Sequence, residues 1–410
     1  MAQATTTGSP RNLAALLSKR AADLPGPRFE DPRKSAELIS FFSGFPDPGS
    51  LPAAEVAAAT VRALEKDGRW ALQYGNWTGY QGLVDVLLAK LKRDQGIEAA
   101  RENVLITAGG SQAMGLVLDA LVDWGDTVIT EAPTWMGAVR AFANVGARPV
   151  AVPVDEEGTN TAALARELTR LRAEGIQPKL IYVISNFQNP SGITTTRARR
   201  ERIVELAHEH GTLILEDDAY SDLRYGGEKI PPIYALDDGG TTMYLGTFSK
   251  IMGAGMRLGW LIADPEIIRR LTVLKVDGCT NVFGSYVAAE WVPEHLETHV
   301  AELKAIYHRR RDLMLEALAR HMPAGTTWTR PDGGFFIWVT FPEGIDTTRM
   351  LPQARERGVE FAPGPIFFVD GRGTNHLRLS YSFVNDEQVE PGIRIIGEIA
   401  RGELLESGRG

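Results

Sequence analysis

The sequence predicts an α/β fold, with a mostly parallel central sheet in a large domain and a smaller α/β domain beside it. Two observations carry this. From about Val104 onward, short β-type runs alternate with amphipathic helical runs, the order that a largely parallel sheet covered by helices requires. In addition, 410 residues exceed what one hydrophobic core ordinarily organises, while 44% hydrophobic and 23% charged residues are ordinary globular composition. No low-complexity linker or internal repeat divides the chain.

Taken in order, the first ten residues are rich in Thr, Gly, Ser and Pro and read as a frayed terminus before a short helix over Asn12–Ala22. Val104–Thr107 reads as a strand. After it, Ala113, Leu116, Val117, Ala120 and Leu121 share one face of a helix. Further strands are predicted at Thr127–Thr130, Pro149–Val154, Leu180–Ile184, Thr212–Leu215, Met243–Leu245 and Gly259–Ala263. Helices fill most gaps, for example Arg199–His210 with Ile203, Leu206 and Ala207 inward. A long helix over Glu294–Arg320 joins the large domain to a C-terminal lobe with strands at Gly334–Thr340 and His376–Ser380.

Composition excludes several classes of function. A net charge of −8 with a pI near 5.5 argues against a nucleic-acid backbone as the main partner. The single cysteine, Cys279, rules out an internal disulfide, and the start of the chain lacks the basic and apolar segments of a secretion signal. No apolar run approaches the roughly 20 residues of a membrane helix. A cytoplasmic protein that contacts neither nucleic acid nor membrane is therefore expected.

The residues that carry chemistry fall at or just after the predicted strands, where open α/β sheets bind ligands. Lys250 ends Leu245-Gly246-Thr247-Phe248-Ser249-Lys250, and Arg257 lies seven positions further on. A lysine flanked by hydroxyls and followed by a phosphate-ready arginine suits a Schiff base, provided burial or nearby cations pull its pKa down from about 10.4. Otherwise it is a surface lysine. Gly110, Ser111 and Gln112 open a helix after a strand, where free N–H groups and the helix dipole attract phosphate; glycine there also serves a steric turn. Trp135 follows Pro133 and can stack on a flat cofactor or simply fill core. Asn189, in Asn189-Pro190-Ser191-Gly192, is a turn residue or an amide donor to a phenolate oxygen. Asp217 suits a protonated pyridine nitrogen, with Tyr220 reaching the ring hydroxyl; a metal site is the other reading, without a histidine nearby. Arg378, among apolar neighbours in a strand, needs an anion, either a substrate carboxylate or a structural partner.

In this order the motifs resemble the class I/II aminotransferases of pyridoxal 5′-phosphate (PLP) fold type I, and most nearly the 2-aminoadipate and kynurenine aminotransferase branch. The resemblance runs from about Ile39 to Ser382, through Ser43-Gly44-Phe45-Pro46-Asp47-Pro48, Gln73-Tyr74-Gly75, Gly110-Ser111-Gln112, Phe187-Gln188-Asn189-Pro190, Asp217-Asp218-Ala219-Tyr220, Ser249-Lys250 and Arg378-Leu379-Ser380. It implies that Lys250 carries PLP and shuttles the substrate proton, while Asp217 holds the pyridine nitrogen. Asn189 and Tyr220 bond the 3′-oxygen, and Trp135 stacks on the ring. Gly110, Ser111, Gln112, Thr247, Ser249 and Arg257 hold the phosphate, with Tyr74 from a second subunit. Arg378 clamps the substrate carboxylate, with Gly44 and Asn189 beside it, and a segment near Arg20 to Gly44 closes over the substrate. No metal is implied. The implied division is an N-terminal arm with part of the small domain (1–65), a large PLP-binding domain (66–295) and a C-terminal small domain (296–410).

Several positions depart from the family pattern: Trp135 replaces a tyrosine, Gly110 a serine and Ala254 a proline. Asn76-Trp77-Thr78 and Asp277-Gly278-Cys279-Thr280-Asn281 differ as well. The resemblance implies a homodimer with shared active sites that moves an α-amino group between an amino acid and a 2-oxo acid. The same lysine serves β- or γ-elimination and replacement, for instance on an S-adenosylmethionine-like amino acid. A non-catalytic PLP-binding sensor would carry a winged-helix domain ahead of this part, and about 38 residues precede Ile39, too few for one. Side-chain contacts such as Arg20, Arg28, Tyr74 and Trp77 suit acidic, aromatic or larger substrates.

Overall fold

The computed structural model describes residues 13–18, 32–35 and 37–406. Its central sheet has eight strands. Seven are β1 (Val104–Thr107), β2 (Thr127–Ala132), β3 (Arg148–Asp155), β4 (Leu180–Val183), β5 (Leu213–Asp217), β6 (Thr242–Thr247) and β7 (Gly259–Ile262). The eighth, Gly158–Thr159, pairs back onto β3. The spatial order is β1-β7-β6-β5-β4-β2-β3, and β7 runs against both of its neighbours while β6, β5, β4, β2 and β3 are parallel.

Alternation along each strand builds two apolar layers, as a sheet covered on both faces demands. Val128, Leu180, Tyr182 and Leu215 pack under the helix Gly110–Leu121 through Ala113 and Val117. Ile129, Ile181, Val183 and Ile214 meet Leu164, Leu168, Ile203 and Leu206 on the other face. Fully burying each such side chain contributes about 1.5–3 kcal/mol.

Most strands differ by one or two residues at an end from the sequence expectation, and three of these differences have a clear local cause or bear on the site. β5 ends at Asp217 rather than Leu215, because Glu216 is buried and satisfied by Ser185 Oγ and by the N–H groups of Ile233 and Tyr234. β6 extends to Thr247, and the strand expected from Gly334 begins at Phe336, after Gly334 turns the chain at φ 69°. The long helix is Val282–His321, 40 residues, and starts twelve positions before Glu294. Asn281 caps it by accepting from the Gly284 N–H at 2.9 Å, and Pro293, which breaks most helix interiors, is accommodated within it. At 1.5 Å per residue this helix is about 60 Å long. The boundary expected at 295/296 falls inside it. The predicted helix Asn12–Ala22 overlaps the described residues only at 13–18, where Leu13–Leu16 form one 3-10 turn. Arg20 and Arg28 lie outside the described residues.

A second sheet, antiparallel and four-stranded, comprises β8 (Thr327–Trp328), β9 (Phe336–Thr340), β10 (Ala362–Pro363) and β11 (His376–Ser380) in the order β8-β9-β11-β10. Ile39–Ser40 pairs with Val359–Glu360, and the Ser380 N–H donates to Phe41 O at 2.9 Å, so the segment leading to Gly44 is sewn to this lobe. No described helix is long and apolar enough to cross a membrane.

Candidate active site

A cavity of about 220 Å³ opens at the carboxyl ends of the parallel strands. At one end lies an anion cup. Gly110 and Ser111 begin a helix whose first N–H groups have no intrahelical acceptor, and Thr247, Ser249 and Arg257 face them across the cavity. The Arg257 guanidinium donates to Ala108 O at 2.8 Å and lies against Gly109. A Cβ on Gly109, at φ 79°, would sit 2.7 Å from Arg257 Nη2, so glycine suits this close approach, and one on Gly110 would sit 2.8 Å from a methyl of the movable Leu245 side chain. Gln112 is not brought to the cavity with its side chain. Its Oε1 accepts from the Ala108 N–H at 2.7 Å and its Nε2 donates to Asp277 at 3.2 Å.

On the cavity wall β5 presents Asp217 as its last residue, 6% exposed. Tyr182 Oη donates to Asp217 Oδ2 at 2.8 Å. Burial pushes the Asp217 carboxyl up to about 6 against the pull of Tyr182 and Lys250, so this carboxylate gains from a cation set before it. Trp135 and Tyr220 line the same space. Asn189 Oδ1 accepts from Arg378 Nη1 at 2.8 Å, and Asn189 lines the cavity together with Tyr220.

Lys250 Nζ projects between these groups and donates to Gly44 O at 2.9 Å. Burial first, then the positive charges of Arg378 and Arg257, bring its amine down to about 8, while Asp217 works the other way. At neutral pH an appreciable fraction is therefore the free, nucleophilic amine. At the far end, Arg378 is 3% exposed and lies against the rings of Phe336 (4.2 Å) and Phe367 (4.9 Å). It donates to Phe42 O as well as to Asn189, and among the described residues its buried Nε has no acceptor. A buried guanidinium with an unused donor beside a cavity suits an incoming carboxylate.

Of the residues singled out in the sequence, Gly44, Gly110, Ser111, Trp135, Asn189, Asp217, Tyr220, Thr247, Ser249, Lys250, Arg257 and Arg378 all line this one cavity. Gln112 does not, and Tyr74 is 86% exposed on the surface. The sequence reading missed Phe42, Met136 and Phe336, which give the substrate end an apolar lining, and Tyr182, the partner of Asp217. Phe42 precedes the Ser43-Gly44 motif and was within reach of the sequence; Tyr182 was hidden as one more apolar-face residue of a buried strand.

An anion cup, a buried carboxylate, an aromatic wall and an amine of lowered pKa fit the phosphate, ring nitrogen, ring face and aldehyde of PLP. Comparison with known proteins gives the same answer. Residues 37–396 match the family "Aminotransferase class I and II". The chain is 38% identical over 374 residues to aromatic-amino-acid aminotransferase 1 of Thermococcus litoralis, covering 90% of each protein. It is 35% identical over 372 residues to 2-aminoadipate transaminase of Thermus thermophilus, covering 90% of this chain and 91% of that protein. The fold matches a kynurenine aminotransferase of Pyrococcus horikoshii crystallised with PMP, with a TM-score of 0.91 and 38% identity over 96% of this chain and 99% of that one. The chain therefore belongs to the class I and II aminotransferases, PLP-dependent enzymes of fold type I that move an amino group between an amino acid and a 2-oxo acid.

Proposed function

We propose that Lys250 carries the cofactor and serves as the proton-transfer base, that Arg378 binds the substrate carboxylate, and that the preferred substrates are aromatic or large apolar amino acids. The observation that carries this reading is the position of Lys250 Nζ, inside the cavity between Asp217 and Arg378 and with its pKa lowered to about 8. When bound, PLP supplies an electron sink for the charge left on the substrate Cα. Asp217 would hold the proton on the ring nitrogen, Asn189 and Tyr220 would hold the 3′-oxygen, and Trp135 would lie against the ring. Gly110, Ser111, Thr247, Ser249 and Arg257 bind the phosphate, and Gln112 supports that turn through Ala108. Lys250 takes the proton from Cα and delivers it back, a transfer for which positioning and a pKa near the working pH both matter.

The substrate class is supported by lining. Phe42, Phe45, Met136 and Phe336 surround the space beside Arg378, and the cations lining the cavity among the described residues are Lys250, Arg257 and Arg378, each already engaged. Among the described residues, a second, side-chain carboxylate meets no further cation in the cavity. The relative named an aromatic-amino-acid aminotransferase supports the same choice.

Further parts of this reading concern assembly and division. Leu72 (73% exposed), Tyr74 (86%), Val273 (80%) and Val276 (97%) are exposed apolar or aromatic side chains of the kind that a second copy covers, which supports a homodimer to which Tyr74 contributes across the interface. Residues 1–65 are assigned to an arm and part of the small domain, 66–295 to the large domain and 296–410 to the small domain. An acidic chain with one cysteine supports a cytoplasmic setting. The test is an amino-acid panel, S-adenosylmethionine included, with 2-oxoglutarate as acceptor and products identified by mass spectrometry. Amine transfer fastest from phenylalanine, tyrosine, tryptophan or kynurenine is expected. Preference for aspartate or 2-aminoadipate, or loss of a side-chain leaving group without amine transfer, would overturn the proposal.

A further inference from the structure

The stretch Asp277–Asn281, one of those that depart from the family pattern, reaches the residues of the anion cup by two routes together with Lys275. Asp277 Oδ2 accepts from Gln112 Nε2 at 3.2 Å and from Thr280 Oγ1 at 2.8 Å, while Oδ1 pairs with Lys275 Nζ at 2.8 Å. The Lys275 side chain has no exposure, and Thr280 is 3% exposed. Gln112, held in this way, uses Oε1 to fix the Ala108 N–H at 2.7 Å, and Ala108 O takes the Arg257 guanidinium at 2.8 Å. On the other side, Asn281 Nδ2 donates at 2.5 Å to the carbonyl of Met256, the residue before Arg257, which itself stands in the left-handed region at φ 46°. The chain of contacts therefore runs from Lys275 through Asp277, Gln112 and Ala108 to Arg257, and the segment returns to Arg257 through Asn281.

We infer that Asp277, charge-paired with Lys275, is a positioning residue that fixes the glycine turn and the Arg257 guanidinium as a preformed receptor for the cofactor phosphate. The inference rests on the reading that Gly110, Ser111 and Arg257 take that phosphate. Its chemical logic lies in the donor count. Two donors, Gln112 Nε2 and Thr280 Oγ1, converge on one oxygen of the carboxylate and the Lys275 ammonium pairs with the other, and an asparagine there turns one oxygen into an NH₂ group. That group faces either the Lys275 ammonium or the Thr280 and Gln112 donors. Flipping the Gln112 amide to relieve this sets its NH₂ against the Ala108 N–H. Every arrangement leaves a donor facing a donor, and the turn loosens. At neutral pH the carboxylate is ionised, since burial pushes its pKa up but the interactions with Lys275, Thr280 and Gln112 outweigh burial and hold it below the usual range.

The test separates phosphate from ring. The full-length chain, stripped of cofactor, is titrated with PLP and with pyridoxal, which lacks the phosphate, and binding is followed by absorbance of the Lys250 adduct. For Asp277→Asn, PLP binding is expected to weaken about tenfold, the loss of one charge-assisted hydrogen bond, while pyridoxal binding stays within about twofold. Unchanged PLP binding, or an equal loss for both ligands, overturns the inference, whether or not the oligomeric state by size-exclusion chromatography has changed. If Asp277→Asn does not fold, Thr280→Val removes one donor from the same oxygen and decides the matter: a smaller but phosphate-selective loss supports the inference, and no selective loss overturns it. Arg257→Gln tests the underlying reading in parallel. A phosphate-selective loss there with none in the Asp277 variant sinks only the positioning role, whereas no selective loss at Arg257 sinks the assignment of the cup itself.

Discussion

Replacing Arg378 by lysine keeps a positive charge and removes the planar fork, which makes it a sharp probe of the substrate end. The guanidinium is 3% exposed, holds Asn189 Oδ1 at 2.8 Å, bonds Phe42 O, and still has a buried Nε without an acceptor among the described residues. A lysine cannot serve Asn189, Phe42 and a carboxylate at once, and it loses the contact of its charge with the face of Phe336 at 4.2 Å. One charge-assisted hydrogen bond to the substrate is forfeited, about 1.5–3 kcal/mol, which corresponds to roughly a 10- to 100-fold fall in kcat/KM for the amino acid. The assay is the first half-reaction, followed by the absorbance of the bound cofactor in rapid mixing. An amine substrate without a carboxylate is the internal control and should lose little. A fall of less than about threefold for the amino acid, or an equal fall for the control amine, would refute the assignment of Arg378 to the carboxylate.

Three further outcomes follow from the geometry. Asp217→Asn should weaken PLP binding at least about tenfold, because a buried charged partner of the ring nitrogen is lost; in the unaltered protein, burial raises the Asp217 carboxyl to about 6, so its advantage over Asp217→Asn should shrink as pH drops through that value, measured by titrating both proteins with PLP from pH 8 to 5, since Lys250 protonation is common to both. Gly109→Ala introduces a Cβ 2.7 Å from Arg257 Nη2 at φ 79°, so it should cost about 1 kcal/mol of stability in thermal unfolding and weaken PLP more than pyridoxal. In the cofactor-free protein, acylation of Lys250 followed by peptide mass spectrometry should be half-maximal near pH 8, with the amine protonated and unreactive below and free above; Arg378→Met should move that midpoint upward, since Arg378 is the leading charge that lowers it.

The central sheet was legible because its strands are short apolar runs separated by helical periodicity, and the site was legible because its residues cluster at strand ends. What escaped the sequence was direction and partnership. Gln112 stands in the motif beside Gly110 and Ser111, yet a helix turns successive side chains by about 100°, and Gln112 points back to Ala108 and Asp277 instead of into the cavity. The strand was expected to stop at Leu215, whereas three donors let the charged Glu216 stay buried within β5. The long helix was expected from Glu294, whereas its capping residue is Asn281, thirteen residues earlier. Tyr182 meets Asp217 from the neighbouring strand, a pairing set by the parallel register of Tyr182 with Leu215 and invisible along the chain.

The account turns on Lys250, and one measurement addresses it directly. The purified yellow protein is reduced with borohydride, digested, and the peptide bearing the cofactor identified by mass spectrometry, with a Lys250→Ala variant treated in parallel. The pyridoxyl group is predicted on Lys250 alone, and the variant should take up no label and transfer no amino group. Label on another lysine, or a Lys250→Ala variant that still forms the reducible adduct, would contradict the account.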